Sequence, residues 1–299
     1  MTDAAAVMLH DARLHLQHGP IDLIVEAFGK PEEVQASYQQ ARDRFRTILQ
    51  ELVLELSRLR APWQTAGLGL QGAVARRMEA AVAEVGVTTS FVTPMAAVAG
   101  AVADEVLAAL TRGRQLQRAY VNNGGDIALY LADGEVFDIG LIAVPARTEL
   151  AGKVQLDGTM GVGGIATSGR GGRSLSLGIA DAVTVLAKDA ATADVAATLI
   201  ANQVDLPGHA AIRREPASDL DPDSDLGERL VTTGVEPLTP AETTRALARG
   251  LTLADQLREQ GTITAAALCL AGEVSICGES AEQQQLMQKR LLSGGTVCA

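Results

Sequence analysis

The sequence predicts a mixed fold of amphipathic helices and antiparallel strands, and three observations carry that reading. Apolar residues alternate through Arg13–His18 and again through Ile21–Val25, on either side of Gly19-Pro20. A period of two suits a half-buried strand pair, and the proline bars continuous ladder bonding at the bend. From Pro31 to about Leu59 the period lengthens: Phe45, Ile48, Leu49, Leu52, Leu56 and Leu59 form one apolar stripe with Arg and Glu opposite, which predicts a helix. Gln117–Val121, Asp126–Leu131 and Glu135–Val144 are strand-like runs separated by Asn122-Asn123-Gly124-Gly125 and Asp133-Gly134. Both separators are turn signals, so the runs are expected to form an antiparallel meander.

The remaining elements follow in order. A second helix is expected from about Gln71 to Glu84, and a third from Pro94 to about Leu110, whose Ala and Val content implies burial on several sides. Gly158–Gly178 holds eight glycines around Ile165-Ala166, which is short enough to be a strand end. Ala182–Ala187 reads as a compact apolar strand and Ala190–Gln203 as an alanine-rich helix. Asp205–Pro240 turns polar, with five prolines and the acids Asp219, Asp221, Asp223 and Asp225. That stretch is expected to be a surface excursion; its acids lack the glycine and terminal glutamate of an EF-hand calcium loop and suit a solvated face. Ala241–Gln260 is a last amphipathic helix, followed by a hairpin of Thr262–Leu270 and Val274–Cys277 around Gly272-Glu273. No repeat with a period of about 20–50 residues is visible, which argues against a solenoid.

A chain of 299 residues with 47% apolar content has ample material for one core. Residues 1–299 are therefore read as one domain. The net charge of −11 would repel a phosphate backbone, and nucleic acid is not expected as a partner. No run is read as approaching the roughly 18 apolar residues that cross a bilayer, so no membrane partner is expected. The opening Met1-Thr2-Asp3-Ala4 places an acid where a secretory signal would carry Lys or Arg, and cytoplasmic residence is the expectation. Cys269, Cys277 and Cys298 are too few and too late for a disulfide framework. If a two-residue turn closes the last hairpin, Cys269 faces position 276 and the sulfurs of Cys269 and Cys277 lie on opposite sheet faces; a three-residue loop would instead set them opposite each other.

The stretch Gly161-Val162-Gly163-Gly164-Ile165-Ala166-Thr167-Ser168-Gly169 has too many glycines for one turn, carries two hydroxyls and is followed by Arg170 and Arg173. Backbone N–H groups without Cβ shields, beside two guanidinium groups, suit an anion; a mobile surface loop is the bland alternative. Asp194 and Thr198 stand at i,i+4 on the following helix, and a carboxylate with a hydroxyl on one face offers hard oxygens to magnesium. The structural alternative is an acid stabilised by a helix N-terminus and a threonine bonded back to its own helix. Asn122-Asn123-Gly124-Gly125-Asp126 is either a plain hairpin turn or a second set of free backbone donors. His10, His15, His18 and His209 are the titratable histidines; His18, beside Gly19-Pro20, either faces the site or is a loop histidine.

Taken together, four segments resemble the ApbE-like superfamily, whose best-known members are FAD:protein FMN transferases. They are Ala97-Val98-Ala99-Gly100-Ala101-Val102-Ala103-Asp104, Val121-Asn122-Asn123-Gly124-Gly125-Asp126-Ile127, Ile165-Ala166-Thr167-Ser168-Gly169, and Ala193-Asp194-Val195-Ala196-Ala197-Thr198. The last is similar to the superfamily's Ala-Asp-Ala-x-x-Thr metal helix and is the most specific. The resemblance covers about Pro94–Asn202 and implies an α+β fold of two T-fold-like sheet-and-helix halves with mostly antiparallel sheets. It further implies a magnesium-dependent site for FAD or a related flavin nucleotide. Asp194 would be the catalytic acid group and, with Thr198 and a carbonyl near Val98, a metal ligand. Asn123, Gly124, Gly125, Asp126, Gly163, Gly164, Thr167, Ser168, Gly169, Arg170 and Arg173 would hold the nucleotide. The transferases carry a Lys where Ala99 stands, and a His-x-x-Asp-Pro-x-Thr-Gly segment after Thr-Ser-Gly that Arg170–Ala182 does not contain. Arg170-Gly171-Gly172-Arg173 and the opening His18-Gly19-Pro20-Ile21-Asp22 instead resemble a cytoplasmic branch connected with sulfur assimilation. That branch implies the alternative of a non-catalytic accessory protein. A protein acceptor or a second copy of the chain would be the macromolecular partner.

Overall fold

The computed structural model describes residues 4–86, 91–144, 149–172 and 174–277. In chain order the first half comprises β1 (Ala5–Met8), β2 (Leu14–His18), β3 (Ile21–Gly29), α1 (Pro31–Leu59), α2 (Ala73–Val85), a 3-10 turn (Pro94–Ala97) running into α3 (Val98–Thr111), β4 (Leu116–Asn123) and β5 (Asp126–Leu131). Then come β6 (Val136–Val144), β7 (Glu149–Asp157), β8 (Gly164–Ser168), β9 (Ala182–Ala187), α4 (Ala190–Gln203), β10 (Ile212–Pro216), α5 (Ala217–Leu220), β11 (Leu230–Val235), α6 (Pro240–Glu259), β12 (Ile263–Leu270) and β13 (Glu273–Ile276). One nine-stranded sheet runs in the order β1-β2-β3-β4-β5-β8-β9-β12-β13, and its neighbouring strands are antiparallel.

The order exposes an internal relation. The hairpin β2–β3, the helices α1 and α3 and the hairpin β4–β5 form one unit, and β8–β9, α4, α6 and β12–β13 form another of the same plan. This is the α+β arrangement expected from the resemblance. The two units join where β5 meets β8, through Ile127↔Ile165 and Ala128↔Gly164. One sheet face carries the helices. Leu14, Leu16, Leu23, Val25, Val121, Ala128, Ala166 and Val185 point into that layer and meet Phe45, Ile48, Val102, Val106, Ile200 and Leu257.

The α1 stripe behaves as its period requires, with Phe45, Ile48, Leu52 and Leu59 buried; Leu49 and Leu56 are half-buried at its margin. The segment Pro94–Thr111 has a mean hydropathy of 1.4 and is long and apolar enough to cross a bilayer by length and composition, contrary to the expectation that no run would be. Its apolarity is accounted for by packing: Gly100, Ala101, Val102, Ala103, Val106, Ala109 and Leu110 are all buried.

The meander does not run as expected. β4 pairs with β5, but β6 pairs with β7 in a separate two-stranded sheet, and β8 takes the place beside β5. The reason lies on the sheet face opposite the helices. Leu129, Leu156, Val162, Ile165 and Leu186 make a second small core there, with Phe137 and Ile139 packed against it. Arg118 lies over the rings of Phe28 (4.4 Å) and Phe137 (5.4 Å), so leaving the sheet lets β6 cover apolar surface that pairing would leave wet. The polar excursion also holds more structure than its composition implies: β10 and β11 form a hairpin, with Ala217 and Val231 buried.

The terminal hairpin turns on Ala271-Gly272, one position earlier than expected, so Cys269 faces Val274. Positive φ at both turn residues (52° and 83°) matches a tight two-residue turn. Strand alternation then sets Cys269 and Cys277 on opposite faces, and both are free and buried. Burial, the largest cause, pushes each thiol up to about 11. Cys298 lies outside the described residues.

Candidate functional site

The site is built on the seam between the two units, where the first turns of α3 and α4 meet the ends of β5 and β8. Asp194, in the second turn of α4, accepts the Gly100 N–H through Oδ2 at 3.0 Å. Gly100 stands two residues after Val98, which opens α3. No side chain could replace it, because a Cβ would lie 2.2 Å from the Ala190 carbonyl oxygen. The two helices therefore touch backbone to backbone at this point. Asp104 on α3 returns the contact, accepting Ala190 N–H at 3.0 Å and Ala191 N–H at 2.9 Å, while Asp189 caps the same helix by accepting Thr192 N–H at 2.8 Å. These bonds satisfy first-turn donors of α4, so that helix end is not an anion cradle.

The turn expected at Asn122–Asp126 closes on Gly124-Gly125, with Asn123 paired to Asp126 and φ of 68° and 115° at the glycines. Asn123 is buried and donates through Nδ2 to the Ala99 carbonyl at 3.0 Å, tying the turn to the start of α3. Gly125 N–H donates to Asn122 Oδ1 at 2.9 Å, and the position where its Cβ would stand is open. Asp126 Oδ1 accepts the Thr167 N–H at 3.3 Å. Its carboxylate lies close enough to Asp194 to matter electrostatically. Asp194 is pushed well above the ordinary carboxylate range, first by burial and next by the charge of Asp126, against the hydrogen bonds from Gly100 and Ala99. Although the residue keeps some surface exposure, its carboxylate is enclosed.

Thr198, one turn further along α4, donates to Ser168 Oγ at 3.4 Å, a long contact for two hydroxyls. Strand alternation sends the Thr167 side chain to the other sheet face, where its hydroxyl meets Thr184 Oγ1 at 2.9 Å. Only the Thr167 backbone reaches Asp126. The glycines of the 161–169 stretch divide in the same way. A Cβ on Gly163 would sit 2.3 Å from the Lys188 carbonyl oxygen, on Gly164 2.1 Å from the Ala190 nitrogen, and on Gly169 2.8 Å from the Asp181 carbonyl oxygen. Close approach of protein backbone alone thus requires these glycines. Gly161, at φ 64°, has open space around it.

Arg170 forms an ion pair with Asp181, whose second oxygen accepts the Ala271 N–H at 2.6 Å. Arg173 lies outside the described residues. Asp104 and Asp181 take part in the site's framework without being expected there: Asp104 closes the Ala97–Asp104 segment that carries the resemblance but is given no role by it, and the contacts of Asp181 with Arg170 and Ala271 are tertiary. Among the described residues no group of three or more His, Cys, Asp or Glu side chains could hold a metal. A cation here would take two carboxylates, with hydroxyl and carbonyl oxygens completing its shell. His18 lies buried against Phe45 and touches none of these groups with a hydrogen bond.

A family model described as AbpE bacteria matches residues 5–276. The chain belongs to that family. It is also similar to curated relatives named UPF0280 protein, at 39% identity over 124 residues in Methanothermobacter thermautotrophicus and 41% over 134 residues in Methanosphaerula palustris. Those alignments take in 39% and 44% of this chain, and the chain spans 44% and 52% of the relatives' length, about half. Among solved structures it is similar to a mutant form of the flavin transferase ApbE from Vibrio cholerae, with 14% identity, a TM-score of 0.43 and coverage of 91% of this chain and 98% of that one. The apbe protein of Thermotoga maritima gives 12% identity, a TM-score of 0.44 and coverage of 95% and 99%.

Proposed function

We propose that the protein binds a flavin nucleotide such as FAD together with magnesium at the α3–α4 seam, and that its reaction class is transfer at the nucleotide diphosphate to a protein acceptor. The observation that supports this reading best is the juxtaposition of Asp194 and Asp126. The Asp194 carboxylate is enclosed and the charge of Asp126 raises its proton affinity further, an arrangement that a cation between the two carboxylates would stabilise. The donors fit magnesium in kind, since they are hard oxygens: Asp194, Asp126, the Thr198 and Ser168 hydroxyls and the carbonyls at the start of α3 around Val98. Bound magnesium would neutralise charge developing on a diphosphate.

The chain's own residues do the rest. Gly100 and Ala99 orient Asp194 through their N–H groups, and Asn123 fixes the Gly124-Gly125 turn against Ala99. The open side of Gly125 and of Gly161 leaves room for a ligand backbone or ring, while Gly163, Gly164 and Gly169 serve by bringing β8 against α4. Ser168 lies beside Thr198 and the Thr167 N–H beside Asp126, and the guanidinium groups of Arg170 and Arg173 would offset phosphate charge. The known names of solved relatives as flavin transferases support the ligand class.

One observation favours a second reading, a non-catalytic accessory role in sulfur or cofactor metabolism. Arg170 is already neutralised by Asp181, which weakens its attraction for phosphate. A single experiment separates the two. Thermal unfolding is followed with FAD, with and without magnesium, for the native chain and for Asp194→Ala. Magnesium-dependent stabilisation by FAD that the substitution abolishes supports the first reading; no stabilisation of the native chain by any flavin or adenine nucleotide removes it.

A further inference from the structure

We infer that Asp225 is a positioning residue for the α3 entry, acting from the polar excursion through the hydroxyl of Thr93. The inference rests on the flavin-nucleotide reading of the site and extends it to a residue far from the seam in sequence. Thr93 is almost wholly buried, at 2% exposure. Its Oγ1 accepts the Met95 N–H at 3.2 Å, capping the 3-10 turn Pro94–Ala97, and donates to Asp225 Oδ2. One hydroxyl thus links a carboxylate of the loop between α5 and β11 to the first N–H of the turn. That turn runs without a break into Val98, Ala99 and Gly100. Ala99 offers its carbonyl to Asn123 and Gly100 offers its N–H to Asp194. The path from Asp225 to the proposed metal carboxylate is therefore a short, continuous series of hydrogen bonds and helical backbone.

Further contacts hold the excursion, and the segment it reaches, in place as a strap and no loose loop. The Arg229 guanidinium lies 3.2 Å over the ring of Phe91, two residues before Thr93. Trp63 N–H holds the intervening Val92 carbonyl at 2.9 Å. At its other end the strap is tied to the segment that follows the glycine-rich stretch, through Thr232 N–H to the Ser176 carbonyl at 2.8 Å and Arg214 to the Leu177 carbonyl. It joins the residues leading into α3 to those leading into β9, which belong to the two opposite units of the fold. A charged acceptor gives the Thr93 hydroxyl a fixed direction that solvent would not.

The test uses the full chain and the substitutions Asp225→Ala, Thr93→Val and Thr93→Ser, alone and with the first two combined. Two measurements are made: hydrogen exchange of the amides of Met95–Gly100 without ligand, and FAD affinity in magnesium by calorimetry. Expected are faster exchange across Met95–Gly100 and roughly tenfold weaker FAD binding in Asp225→Ala and in Thr93→Val, as for loss of one charge-assisted hydrogen bond. The double substitution should be no worse than either single one, and Thr93→Ser should match the native chain. Unchanged exchange in Asp225→Ala overturns the inference, as do additive effects or altered exchange with unaltered affinity. A native chain that binds no FAD removes the nucleotide reading, and the exchange arm still decides whether Asp225 positions the α3 entry.

Discussion

Replacing Asp104 by Asn isolates what it costs to hold a carboxylate between the two central helices. Asp104 is 9% exposed and accepts two N–H groups at the start of α4. Burial, the largest cause, still outweighs those bonds and raises its pKa from 3.8 to about 6. The folded state then binds its proton more tightly than the unfolded chain does. The group's contribution to stability is fully present below the unfolded pKa and is lost as pH rises through the folded one. A displacement of that size corresponds to about 3 kcal/mol. An asparagine keeps one carbonyl acceptor and does not titrate. Urea unfolding of the native chain and of Asp104→Asn, followed by circular dichroism between about pH 4 and pH 7, should show the native chain losing about 3 kcal/mol relative to the variant across that range. Comparing the two chains removes other titrating groups common to both. A difference that stays flat, or that moves in the native chain's favour as pH rises, would mean that the α4 N–H groups and dipole hold the carboxylate ionised, and would refute the dominance of burial.

Other consequences are equally open to measurement. Gly100→Ala and Gly164→Ala press a methyl group onto immovable backbone and should each cost at least about 1–3 kcal/mol in thermal unfolding, whereas Gly161→Ala, with open space around it, should cost only about 1 kcal/mol for its positive φ. A comparable loss at all three positions would contradict the division between packing and open glycines. Thr239→Ala removes the capping box of α6 and should cost about 1 kcal/mol in urea unfolding. In the same box the Glu242 carboxyl is held down to about 2, first by the Thr239 N–H; its stabilising effect is present above the usual glutamate pKa and is lost only as pH falls toward 2. Magnesium affinity, measured by calorimetry from about pH 5.5 to 8, should rise with pH because the cation must displace a proton from Asp194, and Asp126→Asn should shift that dependence to lower pH. An affinity indifferent to pH would separate Asp194 from the metal.

Elements whose side chains carry their own period were legible before any coordinates. Pro31–Leu59, Ala182–Ala187 and Ala190–Gln203 form with the expected bounds, because apolar spacing, a starting proline and the Asp189 cap are all local signals. The pairing of β6 with β7 was not legible, since Asp133-Gly134 is a turn signal whichever strand follows, and the choice depends on Phe137 and Ile139 meeting a distant surface. The glycine-rich stretch shows the same limit. Its composition reads as an anion cradle or a mobile surface loop, and close packing enters only with the positions of Lys188, Ala190 and Asp181 against Gly163, Gly164 and Gly169. Asp194 and Thr198 were legible as a pair from their spacing, but the approach of Asp126, from the other unit of the fold, is a tertiary fact.

The relation between the two units sets one acid among backbone N–H groups alone and its counterpart beside a second acid, which is the ground for proposing a cation seat only at the latter. Asp104 reaches from α3 to the first N–H groups of α4, and Asp194 reaches from α4 to the first turn of α3. Each helix thus lends a carboxylate to the other's N-terminus, at the place where Gly100 lets the two backbones come into contact. The two carboxylates then part company. Asp104 spends both oxygens on Ala190 and Ala191, with the charge of the α4 cap Asp189 a smaller influence on it than burial. Asp194 meets Asp126, because the β4–β5 turn brings an acid to the seam where β8 brings a serine and a threonine amide. Substitutions at the two positions should accordingly separate: Asp104→Asn alters how stability depends on pH, and Asp194→Asn alters what the protein holds. A protein in which both changed only stability would have two structural caps and no cation seat at the seam.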